Sequence, residues 1–477
     1  LILGERGRNR LNSAQHRNAP PHAAAIDPNA RRNRRYKPRI SKTSPTARSI
    51  FAPIFPHLPI HYWKKLRNSF NPFAIARKIV YNGSDPSYVV KGRRSIMRIG
   101  IMGGTIDPVH NGHIEIARSV RAELGLDGVM LLPAGDPPHK KRESDKLDRL
   151  EMAKRAAAEF DWMFVSDLEI ARKGTTYTVD TLRALKRKQP DAEWIYIIGA
   201  DTLNILDSWR NFPEIARLCA FAAVSRPGVS GERAYAALLK ERYGAEIIFA
   251  KASGPDISST AIRARVAEGR SIRGLAPDSV CDYIREKGLY LCAYTWNELE
   301  VLLSERLKPA RFRHTMGVAE TAERLARKYG ADPMRARLAG MLHDCAKSMD
   351  YDQMVALVKG NVPDLDDEEL ATEPVLHAPA GMLLARDEYG VRDPEILSAI
   401  RRHTLGDKNM TLLDAVIFVS DFIEPSRRPF AGLEDARAEA EKNIWSAARL
   451  CARLSGTFVE SRGGKHHPRT AAWANEG

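Results

Sequence analysis

The sequence predicts a multidomain chain: an α/β block built on a doubly wound parallel sheet over 97–292, then an all-α block over 293–477. Ahead of both lies a basic, low-order segment over 1–96. Three observations predict this. Residues 1–96 hold 20 Lys and Arg against 3 Asp and Glu, with no clear periodicity and no methionine. From Met97, short apolar runs alternate with stretches of 3.6-residue periodicity, the pattern of alternating strands and helices. After Ala293 strand signals stop and Ala, Leu, Glu and Arg at helical spacing take over.

Composition narrows the function classes. The whole chain of 477 residues carries a formal charge of +15, which suggests a nucleic-acid binder. Residues 97–477, however, hold 54 basic and 56 acidic side chains, so no basic groove is expected there. Five dispersed cysteines without a C-x-x-C pair point to reduced thiols and a cytoplasmic protein. No run reaches the roughly 18 apolar residues of a membrane span. The 1–96 segment reads as a transit peptide, as a basic RNA-binding tail, or as untranslated sequence upstream of a start at Met97. The last is adopted because Gly92-Arg93-Arg94 can be encoded by a purine-rich ribosome-binding sequence, with Ser95 and Ile96 as spacer. An RNA-binding protein led by 1–96 is the rival.

Strands are expected at Arg98–Met102, Val129–Leu132, Met163–Val165, Trp194–Ile198, Phe221–Val224 and Glu246–Ala250. After the first comes Gly103-Gly104-Thr105-Ile106-Asp107-Pro108-Val109-His110-Asn111-Gly112-His113. The glycines let backbone N–H groups approach a phosphate, and the following helix offers its positive end. On that helix Ile114, Ala117, Val120 and Leu124 form one apolar face. His110 and His113, three apart at its start, can reach one anion.

This loop resembles the H-x-G-H signature of the nucleotidyltransferase superfamily, with Ile106 where the family has Phe, and implies a Rossmann-like fold. Pro137-Pro138-His139-Lys140, Thr176-Tyr177-Thr178-Val179-Asp180-Thr181, Gly199-Ala200-Asp201 with Trp209, and Ile257-Ser258-Ser259-Thr260-Ala261-Ile262-Arg263 narrow the resemblance to bacterial nicotinate-nucleotide adenylyltransferases. The Tyr-Thr-Val-Asp-Thr and Gly-Ala-Asp…Trp stretches separate it from pantetheine-phosphate adenylyltransferases. The resemblance implies adenylyl transfer from ATP to nicotinate mononucleotide with Mg²⁺. It implies that His110 and His113 hold the α/β phosphates and that Lys140, Ser259, Thr260 and Arg263 receive the outer ones. Gly103, Gly104 and Thr105 form the phosphate loop, Asp201 lies on the adenosine side, and Thr178 and Trp209 on the nicotinate side.

In the second block Asp332-Pro333 and Asp393-Pro394 read as helix N-caps followed by proline at the first helical position. Between 293 and 464 there are four histidines, His314, His343, His377 and His403, and Asp421 interrupts the apolar run Val416–Ile423. A single histidine is more often a satisfied core or surface group. Four of them with His343-Asp344 and a carboxylate in an apolar stretch fit a transition-metal site better. The order resembles the HD-domain metal-dependent phosphohydrolases, and Arg313–Ala319, Leu342–Lys347, Arg402–Gly406, Ile417–Pro425 and His467-Pro468 resemble the bacterial YqeK-type symmetrical diadenosine tetraphosphatases. Ala378 stands where that family has glycine after the histidine. The resemblance implies Fe²⁺ or another divalent transition metal held by His314, His343, Asp344 and Asp421, with His377 and His403 completing a second site. Lys347, four after His343, is expected on the same helix face, toward substrate phosphates. The expected enzyme is bifunctional, making deamido-NAD and splitting diadenosine tetraphosphate into two ADP. The alternative is an adenylyltransferase with a silent HD domain that binds nucleotide. Small molecules are the expected partners, with no membrane and no nucleic acid for 97–477; whether the chain forms a homo-oligomer is left open.

Overall fold

The computed structural model describes residues 96–135, 144–224, 232–252 and 254–475. Strands β1 (Arg98–Gly104), β2 (Gly128–Pro133), β3 (Met163–Val165), β4 (Glu193–Gly199), β5 (Ala220–Val224) and β6 (Ile247–Ala250) form one sheet in the order β3-β2-β1-β4-β5-β6. Every pairing is parallel. All six expected strands form, β3 with the expected bounds and the others with ends displaced by at most two residues. Side chains alternate between two cores: Val129 and Leu131 face one, Met130 and Leu132 the other. Burial on both faces explains why these strands read as continuous apolar runs. Strand order reverses between β1 and β4, so a crevice opens beyond their C-terminal ends.

Helices α1 (Asn111–Leu124), α2 (Lys146–Ala157), α3 (Thr178–Lys188), α4 (Phe212–Leu218), α5 (Glu232–Tyr243), α6 (Ser259–Ala267) and α7 (Asp278–Lys287) accompany the sheet. The segment Ala200–Ser208 after β4 is a 3₁₀ turn. Helix α1 buries Ile114, Ala117 and Val120 and ends at Gly125, whose φ of 61° suits glycine.

The second block is helical: α8 (Trp296–Arg306), α9 (Pro309–Tyr329), α10 (Pro333–Leu342), α11 (Tyr351–Val358), α12 (Asp367–Ala371), α13 (Glu373–Asp387), α14 (Pro394–Arg402), α15 (Leu412–Ile423), α16 (Leu433–Ala440), α17 (Ile444–Ser461) and α18 (Pro468–Ala474). Asp332 and Asp393 cap α10 and α14, each accepting two backbone N–H bonds, with proline next. One large core unites α9, α10, α14, α15 and α17. The chain passes between the blocks with little slack. Trp296 Nε1 donates to Lys287 O at 2.8 Å, and Ala293 N donates to Tyr389 O at 2.9 Å. No helix among the described residues is long and apolar enough to cross a membrane.

A buried ion network ties the end of the chain to α12 and α14. Glu369 is fully buried and accepts from Arg401 Nη1 at 2.5 Å and Nη2 at 2.7 Å, and from Arg469 Nη1 at 3.2 Å. Removing Glu369 leaves the nearly buried Arg401 with only the exposed Asp364 as a carboxylate partner. Glu369→Ala is therefore expected to cost about 3–5 kcal/mol of unfolding free energy in urea titrations. A loss below about 1 kcal/mol would show that Arg401 reaches solvent by another path.

Candidate functional site

The loop after β1 is shaped by contacts that only glycine allows. A Cβ at Gly103 would lie 2.0 Å from the Tyr196 hydroxyl, and one at Gly112 would lie 2.9 Å from His110 Nδ1. His110 is the N-cap of α1, in extended conformation, and its Nδ1 accepts from His113 N at 3.4 Å. His113 Nδ1 accepts in turn from His110 N at 3.3 Å, and the two rings stack with centroids 3.7 Å apart. A neutral imidazole that accepts at Nδ1 carries its proton on Nε2, so each ring is set up as a donor to an anion. Burial, helped by the neighbouring His110, pushes His113 down to about 3, which keeps its ring neutral.

Residues distant in sequence hold this loop. Asp107 is buried and its Oδ1 accepts from Ser144 Oγ at 2.5 Å and Tyr290 Oη at 2.6 Å. Ser259 Oγ donates to Pro108 O at 2.9 Å and Arg263 Nη1 to Asp107 O at 2.7 Å. Two side chains expected to receive phosphates therefore also anchor the loop that would cradle them. Thr260 is exposed beside them, its hydroxyl 3.4 Å from Arg263 Nη2.

The structure gathers Gly103 and Gly104 at the end of β1, Thr105 directly after it, His110 and His113 at the start of α1, and Ser259, Thr260 and Arg263 of α6 around the β1–α1 connection. Thr178, the first residue of α3, and Asp201, exposed in the turn after β4, belong to the neighbouring strand ends. Trp209 is half-buried and packs edge-on against Tyr196 with centroids 5.6 Å apart. Lys140 and the rest of Pro137-Pro138-His139-Lys140 lie outside the described residues.

In the helical block His314 on α9, His343 at the end of α10, Asp344, His377 on α13, His403 at the end of α14 and Asp421 on α15 converge. His314 Nε2 lies 3.0 Å from Asp421 Oδ1 and 3.7 Å from Asp344 Oδ2. His343 Nε2 lies 3.4 Å from Asp344 Oδ2, and His377 Nε2 3.1 Å from Asp344 Oδ1. His377 Nε2 and His403 Nε2 are 2.9 Å apart.

The other ring nitrogens decide what this cluster holds. His343 Nδ1 faces Gly340 O at 2.6 Å and His403 Nδ1 faces Ile400 O at 2.7 Å; a carbonyl can only accept, so both must donate. His314 Nδ1 faces the Glu424 carboxylate at 3.0 Å. In this tautomer a neutral ring presents its Nε2 lone pair to its neighbours and to two carboxylates. His314 Nε2 and His343 Nε2 are buried without a hydrogen-bond partner among the described residues. Acceptors packed against acceptors need a cation between them. Three overlapping sets have ligand atoms within 4.8 Å of one another: His314, His343 and Asp344; His343, His403 and Asp421; Asp344, His377 and His403.

Asp344 raises His343 against the effect of burial, so the positive charge that the two carboxylates call for falls on an imidazole when no cation is present. Burial opposes ionisation of Asp344, yet His343 and His377 hold its carboxyl well below the usual range. Asp421 is likewise depressed, with burial opposed by His314 and Arg427. Burial, with His377 and His343 nearby, pushes His403 down to about 3, so it stays a neutral ligand.

Sequence reading missed three side chains here. Glu424 fixes His314, Arg311 Nη1 lies 2.7 Å from Asp344 Oδ2, and Arg427 Nη2 lies 2.5 Å from Asp421 Oδ1. Arg311 precedes His314 by three residues on one helix, a spacing that could have flagged it. The expectation for Lys347 is corrected: α10 ends at Leu342, so Lys347 does not share a helix face with His343. It is exposed in the turn beyond, its Nζ 3.5 Å from Pro374 O.

A cytidylyltransferase-like family model matches residues 101–265, and an HD-domain model matches residues 311–426. The probable nicotinate-nucleotide adenylyltransferase of Synechococcus sp. (strain JA-3-3Ab) is 41% identical over 196 residues, which cover 41% of this chain and 95% of the relative. The chain belongs to the nicotinate-nucleotide adenylyltransferase family. The family's member from Citrifermentans bemidjiense is 40% identical over 215 residues, covering 41% of this chain and all of the relative. These nicotinate-nucleotide adenylyltransferases account for well under half of the chain, and the HD domain lies in the remainder. A crystal structure of a predicted HD superfamily hydrolase involved in NAD metabolism, from Clostridium acetobutylicum, is 34% identical. It covers 38% of this chain and 96% of that one, with a TM-score of 0.37.

If the buried acceptor cluster holds a cation, removing it must destabilise the helical block of this adenylyltransferase-family chain. Dialysis against a chelator is expected to lower its melting temperature by several degrees, and Mn²⁺ or Fe²⁺ to restore it. The doubly substituted His343→Ala, Asp344→Ala protein should show no such difference. Equal melting curves for the untreated and the chelated native chain would contradict the cation site.

Proposed function

We propose that the chain is a bifunctional enzyme: a nicotinate-nucleotide adenylyltransferase whose HD domain is a metal-dependent symmetrical diadenosine tetraphosphatase. The observation that supports the first activity most is the paired His110 and His113, each with Nδ1 accepting from backbone N–H and its proton therefore on Nε2. Near-complete coverage of adenylyltransferase relatives at about 40% identity supports the acceptor.

In this reading an oxygen of the nicotinate mononucleotide phosphate attacks the α-phosphorus of ATP, and the bond to the β-phosphate oxygen breaks, releasing pyrophosphate. No protein nucleophile is required, so the protein contributes position and charge. ATP enters with Mg²⁺. His110 and His113 donate to the α/β phosphates, the Gly103-Gly104-Thr105 turn carries the backbone close to them, and Lys140, Thr260 and Arg263 supply positive or polar groups at the outer phosphates. Ser259 does so while holding Pro108. Asp201 faces adenosine; Thr178 and Trp209 face the nicotinate side.

In the HD domain His314, His343, Asp344, His377, His403 and Asp421 would hold one or two divalent ions, Fe²⁺ being the expected metal. Such a metal supplies Lewis acidity toward phosphate and water at neutral pH. Glu424, Gly340 O and Ile400 O keep three rings in the ligating tautomer. Arg311 and Arg427, already on the two carboxylates, place positive charge at the rim where a polyphosphate would enter, and Lys347 in the turn after α10 interacts electrostatically with the same Asp344 and Asp421.

The test is made on the full chain. With diadenosine tetraphosphate and Fe²⁺ or Mn²⁺, chromatography should show two ADP for each substrate consumed. ATP plus AMP would assign an asymmetrical hydrolase, and bound metal without turnover a silent nucleotide-binding module. His113→Ala should lower deamido-NAD synthesis about 10²–10³-fold and leave hydrolysis intact. The His343→Ala, Asp344→Ala double substitution should do the opposite. Loss of both activities in either variant would contradict two separate sites.

A further inference from the structure

Arg149 is a cation with no solvent exposure at all, the largest fully buried side chain among the described residues. A guanidinium in that position is costly unless its N–H groups find acceptors. Here it forks onto main-chain carbonyls of two loops. Nη1 donates to Thr105 O at 3.0 Å and Ala134 O at 2.5 Å, and Nη2 donates to Gly135 O at 3.0 Å. Thr105 belongs to the loop after β1, while Ala134 and Gly135 open the loop after β2. These strands are neighbours, and their ladder continues past β2, with Ala134 N donating to Gly104 O at 2.8 Å. Arg149 therefore sits beneath both loops at the C-terminal edge of the sheet and joins them.

The direction of those carbonyls matters to an anionic ligand. In a trans peptide the C=O of one residue and the N–H of the next point opposite ways. Turning Thr105 O inward onto Arg149 turns the Ile106 N–H the opposite way, whereas the Gly135 N–H faces the buried Glu169 carboxylate. The fork also withdraws three negative carbonyl ends from the region where a triphosphate would lie. A lysine could keep the charge but could not satisfy three acceptors across two loops with one planar fork. The packing leaves no slack: a Cβ on Gly135 would lie 2.2 Å from Glu169 O.

We infer that Arg149 is a positioning residue for the adenylyl transfer, holding Thr105 of the loop after β1 against Ala134 and Gly135 in the orientation that presents the Ile106 amide rather than the Thr105 carbonyl to the nucleotide's phosphates. The inference rests on the proposed ATP site. It predicts a selective defect: the phosphate-bearing nucleotide should lose affinity while the folded state survives.

The experiment compares the native full chain with Arg149→Lys and Arg149→Met. ATP affinity is read by direct titration without acceptor, KM for nicotinate mononucleotide and kcat by product formation, and folding by melting temperature. Amide hydrogen exchange over 103–109 reports the loop itself. For Arg149→Lys the expected result is ATP binding weakened at least about 10-fold, with KM for nicotinate mononucleotide changed less than about 2-fold. Exchange over 103–109 should rise while that of the helical block stays unchanged. If Arg149→Met unfolds, the Arg149→Lys comparison still decides. Unchanged ATP affinity with a lowered melting temperature would make Arg149 a structural residue only and overturn the inference. A native chain that bound ATP but formed no deamido-NAD would overturn the proposed acceptor and leave the Arg149 comparison standing on the titration. A native chain that bound no ATP would overturn both.

Discussion

An imidazole whose Nδ1 accepts a backbone hydrogen bond must carry its proton on Nε2, and one whose Nδ1 donates must leave Nε2 as a lone pair. Both halves of this chain are organised by that constraint, in opposite senses. At the start of α1 two backbone N–H groups occupy Nδ1 of His110 and His113, which places both ring protons on Nε2. In the helical block, carbonyls of Gly340 and Ile400 and the Glu424 carboxylate take the Nδ1 protons, leaving three lone pairs for a cation. The same residue type thus serves phosphate in one place and metal in the other, and the difference lies in backbone and neighbour geometry.

Much of the fold was legible in the sequence because burial writes it there. Strands covered on both faces appear as unbroken apolar runs, and the two Asp-Pro pairs mark helix starts through capping chemistry. The phosphate loop was legible for a related reason: glycine and histidine stand where a close approach excludes a Cβ or a capping ring is needed. The end of α10 was not. Nothing in Leu342-His343-Asp344-Cys345-Ala346-Lys347 signals a stop; the stop leaves His343 Nδ1 turned back onto Gly340 O. Arg149, Arg311 and Glu424 were missed for another reason. Each is a charged residue on or beside a helix, where charge ordinarily means solvent. Their partners lie far off in sequence: Arg149 meets a carbonyl 44 residues away, and Glu424 meets an imidazole 110 residues away.

The two blocks are connected through the chain that supports the phosphate loop. Tyr290 reaches back to Asp107 with its hydroxyl while holding a left-handed backbone conformation, φ 66°. Three residues later Ala293 N is bonded to Tyr389 O in the helical block. Val266, at the end of α6, packs against the helical core, and α6 also carries Ser259 and Arg263. The elements that hold the phosphate loop are therefore the ones that meet the second block, so neither site is insulated from the packing of the other.

The claim on which the account of the helical block stands is that its surplus of buried acceptors encloses a cation. X-ray absorption at the metal edge of the full chain, loaded with Fe²⁺ or Mn²⁺ and freed of excess ion, tests this directly. The account predicts a first shell of nitrogen and oxygen with the multiple-scattering pattern of several imidazoles. That pattern should diminish when His343 is replaced by alanine. A shell of oxygen alone, or a sulfur contribution, would contradict the His and Asp cluster as the ligand set.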